Sequence, residues 1–329
     1  MSIRPTRRLL LGLVLSAFAA VPATATAQSY PAKPVKMMVG FAPGGPTDIL
    51  ARLVATAMSK SLGQNVIVEN RAGAAGALAA QALAKAEPDG YTILFAGDGQ
   101  LTLLPQLSPN AGYQTLQDMA PLRTVAGQSN VLMAHKSSGI VDMPSLLRQA
   151  RATPRTVSYG SAGNGTPSHL VGALFESTAG IELLHVPYKG AGPAMTDLLG
   201  GTLKIMFVGM PVAVQNATRE QLAPIAVTGN KRSPRLPQVP TFGELGFQGL
   251  GDEVDVWWAV TAPAGTPPQV RSRLDAAIQA ALADATLRES FNAQGVELLD
   301  RDAQATRARI ESDQARWGRL IQSGKVPAQ

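Results

Sequence analysis

The feature that most limits the fold is an alternation of short apolar runs with longer stretches of helical periodicity, met twice along the chain. Residues 35–39 read as a strand buried on both faces. After a glycine-bearing turn, Ile49, Leu50, Leu53, Val54, Ala57 and Met58 recur at helical spacing until Gly63. Residues 66–68 form the next strand, 74–85 the next helix and 91–96 the third strand. This order requires right-handed crossovers and sets the strands parallel in one sheet. The pattern then restarts, with strands at 131–134, 157–159, 183–186, 205–208 and 225–227 and helices at 144–152, 167–179 and 191–199. A Pro/Gly-rich stretch, 233–251, precedes a strand at 256–260. The remainder reads as helical, from 270–282 to a last helix with Ile310, Trp317, Leu320 and Ile321 on its inner face. The expected fold is α/β and two-lobed, each lobe a mainly parallel sheet flanked by helices, with two crossing strands at a hinge. Residues 28–127 with 255–329 make a discontinuous first lobe, and 128–254 a continuous second one. Such a hinge places a ligand in the cleft between lobes.

Residues 1–27 stand outside this pattern. Arg4, Arg7 and Arg8 precede an apolar run over 9–21, and Ala25-Thr26-Ala27 supplies a small-x-small cleavage pattern. This is the order of an export signal, cut after Ala27. Arg7-Arg8-Leu9-Leu10 also resembles a twin-arginine signal. The leader's three arginines account for half of the net charge of +6. The remainder shows no dense Lys/Arg block, which is unlike a nucleic-acid surface. The chain has no cysteine, so disulfides, thiolate metal sites and cysteine catalysis are excluded. His135, His169 and His185 are not at zinc-ligand spacing. Neither a metal nor a cofactor is expected, and the chain reads as a monomer.

Two turns carry the chemistry. The first is Phe41-Ala42-Pro43-Gly44-Gly45-Pro46-Thr47-Asp48, between a buried strand and an amphipathic helix. Its glycines let backbone approach a ligand closely, and Pro46 suits the first helical position. The free amides of the first turn then favour an anion at the carboxyl edge of the sheet. Thr47 adds a hydroxyl. Asp48 either favours the helix dipole or binds water, an ammonium group or the hinge. The second turn, residues 159–169, repeats the design: Ser161, Asn164 and Thr166 offer hydrogen bonds to a carboxylate, Gly163 turns the chain and Pro167 opens a helix. His169 is read as structural or as touching the ligand. Gly97-Asp98-Gly99-Gln100 and Gly209-Met210-Pro211 end strands and line the same cleft. Tyr188 and Lys189 touch ligand or brace the hinge. Asp255, Trp257 and Trp258 lie at the return crossing, the tryptophans as packing residues first. Glu311 and Asp313 read as a solvated helix face.

Catalytic patterns fit poorly. Thr166-Pro167 is not the Lys-Ser/Thr pair of a P-loop, and Gly160-Ser161-Ala162-Gly163 misses the spacing of a nucleophile elbow. A hydrolase using Ser161 or Ser168 with His169 is the weaker reading. The chain is read as no enzyme.

These segments together resemble the Bug-type substrate-binding proteins of the tripartite tricarboxylate transporter family. The resemblance rests on Phe41-x-Pro43-Gly44-Gly45-x-x-Asp48, Val68-Glu69-Asn70-Arg71-x-Gly73-Ala74-x-Gly76, Pro88-Asp89-Gly90-Tyr91-Thr92 and Tyr159-Gly160-Ser161-x-Gly163-x-Gly165. It continues through His185-Val186-Pro187-Tyr188-Lys189-Gly190, Pro240-Thr241-x-x-Glu244-x-Gly246 and Ala262-Pro263-Ala264-Gly265-Thr266-Pro267. It implies a periplasmic Venus-flytrap fold with a dicarboxylate, amino acid or aromatic acid in the cleft. One carboxylate would lie on Phe41 to Asp48 and another on Ser161, Asn164 and Thr166. Implied partners are a tripartite tricarboxylate permease or the outer domain of a sensor kinase. Two residues depart from the family pattern: Leu104 stands where Asn usually precedes the proline, and Ala259 where Gly usually follows the tryptophans.

Overall fold

The computed structural model describes residues 30–322 apart from 108–110, 162, 164, 165, 189, 190, 249 and 251–255. The leader and its cleavage point, Asn164, Lys189 and Asp255 lie outside the described residues. The first run is β1 (Val35–Val39), α1 (Pro46–Leu62), β2 (Val66–Asn70), a 3-10 turn (Ala74–Gly76), α2 (Ala77–Ala84) and β3 (Thr92–Gly97). A π-helical turn (Gly99–Leu103) leads into α3 (Leu104–Leu107), and α4 (Thr115–Asp118) precedes β4 (Met119–Gln128). Next come β5 (Asn130–His135), α5 (Met143–Ala152), β6 (Ser158–Ser161), α6 (Pro167–Ala179), β7 (Leu184–Pro187), α7 (Ala191–Leu199), β8 (Ile205–Gly209), α8 (Met210–Asn216) and β9 (Leu222–Val227). Then follow β10 (Val256–Pro263), α9 (Pro268–Ala283), α10 (Ala285–Ala293), β11 (Glu297–Arg301) and α11 (Ala303–Gln322).

These strands form two sheets, one in the order β11-β4-β10-β3-β1-β2 and one in the order β7-β6-β8-β5-β9. The parallel pairing expected from strand–helix–strand units holds for β2–β1–β3 and β7–β6–β8. Both sheets are nevertheless mixed. β10 runs antiparallel to β3 and β4, and β5 antiparallel to β8 and β9. These are the strands that carry the chain between sheets, and they have no crossover helix of their own to fix a parallel direction. β4 passes into β5 through Ser129 alone, and β10 pairs beside that passage, with Val256 opposite Gln128.

Side-chain alternation gives each sheet two cores. In β1, Met37 and Val39 pack beneath α1, α9 and α10, while Met38 packs on the other face with α2, Trp257 and Ile310. In the second sheet Leu132 and Phe207 pack on α5 and α6, and Val131 and Val208 on α7 and α8. A smaller apolar cluster joins the two bodies: Leu103, Leu107 and Trp317 of the first meet Leu170 and Ala173 of the second.

Several elements were not read from periodicity. β4 carries Pro121, Arg123 and Gly127 and shows no apolar run, yet nearly all of it is buried between β10 and β11. Its Arg123 is held by Asp275 of α9, through two bonds of 2.8 and 3.0 Å, and by Asp300 of β11. β11 has charged ends and lies at a sheet edge, where charge guards against stray pairing.

Candidate functional site

The turn before α1 is built by its own side chains. Gly44 has φ +84°, a conformation that glycine alone adopts at little cost. Its amide donates to Asp48 Oδ2 at 2.9 Å, and Arg52 Nε donates to the same oxygen at 3.0 Å. Asp48 Oδ1 accepts from Asn70 Nδ2 at 2.8 Å, and Asn70 also reaches the carbonyl of Phe41. Burial alone would raise the Asp48 pKa. The bonds from Arg52, Gly44 and Asn70, with the Arg52 charge, outweigh it and hold the carboxyl down at about 2. Asp48 therefore serves the shape of the turn. Folded-state depression of this kind adds stability above the ordinary carboxylate pKa and loses it as pH falls toward 2. Asp48→Ala should cost about 2–3 kcal/mol at neutral pH, through the loss of charge-assisted bonds, and urea denaturation at pH 7 and pH 3 should show the cost shrinking in acid.

With Asp48 occupied in this way, α1 starts at Gly45 without a side-chain cap and with Pro46 in its first turn. The amides of a helix's first turn have no partner within the helix, and they carry the positive end of its dipole. Thr47 Oγ1 accepts from Trp258 Nε1 at 3.1 Å. An indole N–H can only donate, so the Thr47 hydroxyl proton is left to donate elsewhere.

The second turn has the same start. α6 begins at Thr166 without a side-chain cap, with Pro167 at its first position. Gly163, at φ +134°, makes the bend, and Thr166 Oγ1 donates to its carbonyl at 2.6 Å. Ser161 is fully buried, and its Oγ lies 2.7 Å from His185 Nε2. The Ser161–His169 pair weighed from sequence is thus replaced by Ser161–His185. His169 stacks on His185 with ring centroids 4.0 Å apart, and His185 stacks on Tyr159. Burial lowers the pKa of His169 to about 4. Burial and then the neighbouring His169 do the same for His185. Both imidazoles are neutral near pH 7, and they form a packed floor beneath the turn.

Both turns border one cavity of about 160 Å³ between the two bodies. That is below the ~300–1,000 Å³ of sites for drug-sized molecules, so the occupant is small. Among the residues singled out from sequence, Phe41, Thr47, Gly97, Asp98, Gly99, Gln100, Leu104, Thr166 and Pro167 line it. Ala42, Gly45, Asp48, Ser161, Gly163 and His169 stand behind the wall, in the turns that shape it. Gly209 does not line it; it caps α8 against Gln128 at the crossing between sheets. Tyr188 donates to Asp197 at 2.7 Å within the second body.

The sequence reading missed Ala75, Leu103, Leu107 and Val256, which also line the cavity, and gave Trp258 to packing first. Ala75 was hidden inside an expected helix. It sits at φ +53° in the 3-10 turn before α2, a left-handed conformation unusual for a residue with Cβ.

Asp98 is the ionisable side chain of this wall among the described residues. Burial first, then the nearby Asp313 charge, raises its pKa to about 7, partly offset by the Gly99 amide, Arg309 and Arg316. Asp313 corrects the expectation of a solvated face. It is 3 % exposed and accepts from Trp257 Nε1 at 2.9 Å, Arg309 Nε at 3.0 Å and Arg316 at 3.1 Å. Its neighbour Glu311 does face solvent.

No helix among the described residues is long and apolar enough to cross a membrane. Residues 50–325 match the family described as "Tripartite tricarboxylate transporter family receptor". Protein BugT of Bordetella pertussis is 35% identical over 317 residues, covering 96% of this chain and 97% of that one. The solved periplasmic binding protein BugD superposes with a TM-score of 0.76 at 35% identity, over 91% of this chain and 100% of its own. An R. palustris protein solved with adipate gives a TM-score of 0.78 at 31% identity, over 91% and 99%. With a two-lobed binding-protein fold and a match across most of its length, the chain belongs to the tripartite tricarboxylate transporter receptor family, a family of binding proteins.

Proposed function

We propose that the protein captures a small carboxylate in the cavity between its two sheets, in the periplasm, and presents it to a tripartite tricarboxylate permease. The observation that carries this is the pair of uncapped helix starts, α1 and α6, that open onto one cavity. Each turns the positive end of a helix dipole toward the cavity, and both starts suit an anion. The Thr47 hydroxyl adds a donor on the first side. Adipate in an R. palustris relative supports the ligand class. In this reading residues 28–127 with 255–329 form one lobe and 128–254 the other, the leader is removed after Ala27, and the protein acts as a monomer without cofactor. Phe41, Thr47, Gly97, Asp98, Asn164, Thr166 and Asp255 would approach the ligand. Ala42, Gly45, Asp48, Ser161, Gly163, His169 and Gly209 would hold the turns and hinge.

A thermal-shift screen of carboxylates tests the reading. A true ligand at a hundredfold excess over its Kd should stabilise the protein by about 2.7 kcal/mol. Thr47→Val keeps the side chain's shape and removes the donor. It should weaken that ligand by about tenfold, the value of one charge-assisted hydrogen bond. Unchanged affinity in Thr47→Val would take the carboxylate away from α1.

A further inference from the structure

The cavity is chemically uneven. Along one side Leu103, Leu104 and Leu107 present an apolar surface. Leu103 and Leu107 are themselves locked in the cluster with Trp317 and Leu170, so this surface is fixed in place. Alongside stand two oxygen acceptors. One is the buried carboxyl of Asp98. The other belongs to Gln100, which is 2 % exposed. Gln100 Nε2 donates to the Gly76 carbonyl at 2.8 Å, which sets the orientation of the amide. Its Oε1 is then a buried acceptor with no donor among the described residues. Such an atom is costly to bury alone, and because Gln100 borders the cavity, a ligand donor that reached it would relieve that cost. A second carboxylate has no proton to offer Gln100, and above pH 7, where Asp98 is ionised, its charge would meet another. Among the described lining residues there is no Lys, Arg or His to offset it.

We infer that the cavity prefers a monocarboxylate with an apolar body that carries a hydroxyl or amino group toward Gln100 and Asp98, over a dicarboxylate. This rests on the carboxylate-capture reading above, with the acid group at the helix starts and the body against the three leucines.

The test is calorimetric titration of the purified protein with two matched trios: hexanoate, 6-hydroxyhexanoate and adipate; benzoate, 4-hydroxybenzoate and terephthalate. In a trio that binds, the hydroxy acid should bind more tightly than the unsubstituted acid and at least about tenfold more tightly than the diacid. Leu104→Asn, nearly the same size but polar, should weaken the hydroxy acid by about tenfold while keeping its lead over the unsubstituted acid. Gln100→Met should erase that lead. A diacid that binds tightest, or a hydroxyl that brings no gain, overturns the inference and leaves carboxylate capture standing. No binding by any of the six acids, or equal binding when the acid is replaced by its primary amide, overturns the capture reading itself.

Discussion

Asp313→Ala should destabilise the protein by about 3–5 kcal/mol, the range for removing one member of a buried ion cluster. Asp313 is the acid on which Trp257, Arg309 and Arg316 converge, and both arginine side chains are mostly buried. Without it, Arg309 and Arg316 lose the acid on which both converge, while Asp98 already feels the charge of each. Asp98 would then take over part of the missing charge. Denaturant unfolding should show the loss largest in acid, where Asp98 is protonated, and smaller above pH 7. A cost below about 1 kcal/mol, typical of exposed pairs, would place this cluster in solvent after all.

Asp98→Asn should act in the opposite direction. The folded-state pKa of Asp98 is raised from 3.8 to about 7. The folded protein therefore holds a proton that the unfolded chain releases, and stability falls as pH climbs from about 4 to about 7. Asparagine removes this burden. The variant should match the parent near pH 4 and exceed it by about 2–4 kcal/mol at pH 8, as the shift converts at about 1.4 kcal/mol per unit. Because Asp98 lines the cavity, carboxylate affinity in the parent should fall as pH rises through 7 and should be flatter in the variant. A stability gain that does not vary with pH would refute the ionisation account. In the Asp313→Ala background the sign should reverse, because Asp98 is then the partner of Arg309 and Arg316. That reversal makes the pair strongly non-additive in a double-mutant cycle.

The same two acids show where reading the sequence stops. α6 was legible because everything that defines it is local: Pro167 opens it, apolar residues recur at helical spacing, and Gly180 closes it in the left-handed conformation. The two turns that border the cavity were legible for the same reason. Asp313 was not. Its spacing from Arg309 and Arg316 is also that of an ordinary surface ladder, and its burial depends on Trp257, more than fifty residues away. β4 was not legible either, since Arg123 in a buried strand makes sense only once Asp275 and Asp300 arrive from distant elements. In the cavity, Leu103 and Leu107 were hidden because Pro105 interrupts residues 99–107, which then fit neither helical nor strand periodicity. Their π-helical start is what turns Leu103, Leu104 and Leu107 toward the cavity.

The register of β10 on β4 has a further consequence. Gln128 and Val256 are opposite one another, so the excursion between them departs and returns at neighbouring points. Facing residues of an antiparallel pair lie only about 5 Å apart, a gap that a two-residue hairpin turn closes. The intervening portion is in effect a cassette. It could be exchanged for that of a relative, or trimmed to a tight turn, without rerouting the backbone of the host, and this offers a direct way to swap recognition surfaces by grafting.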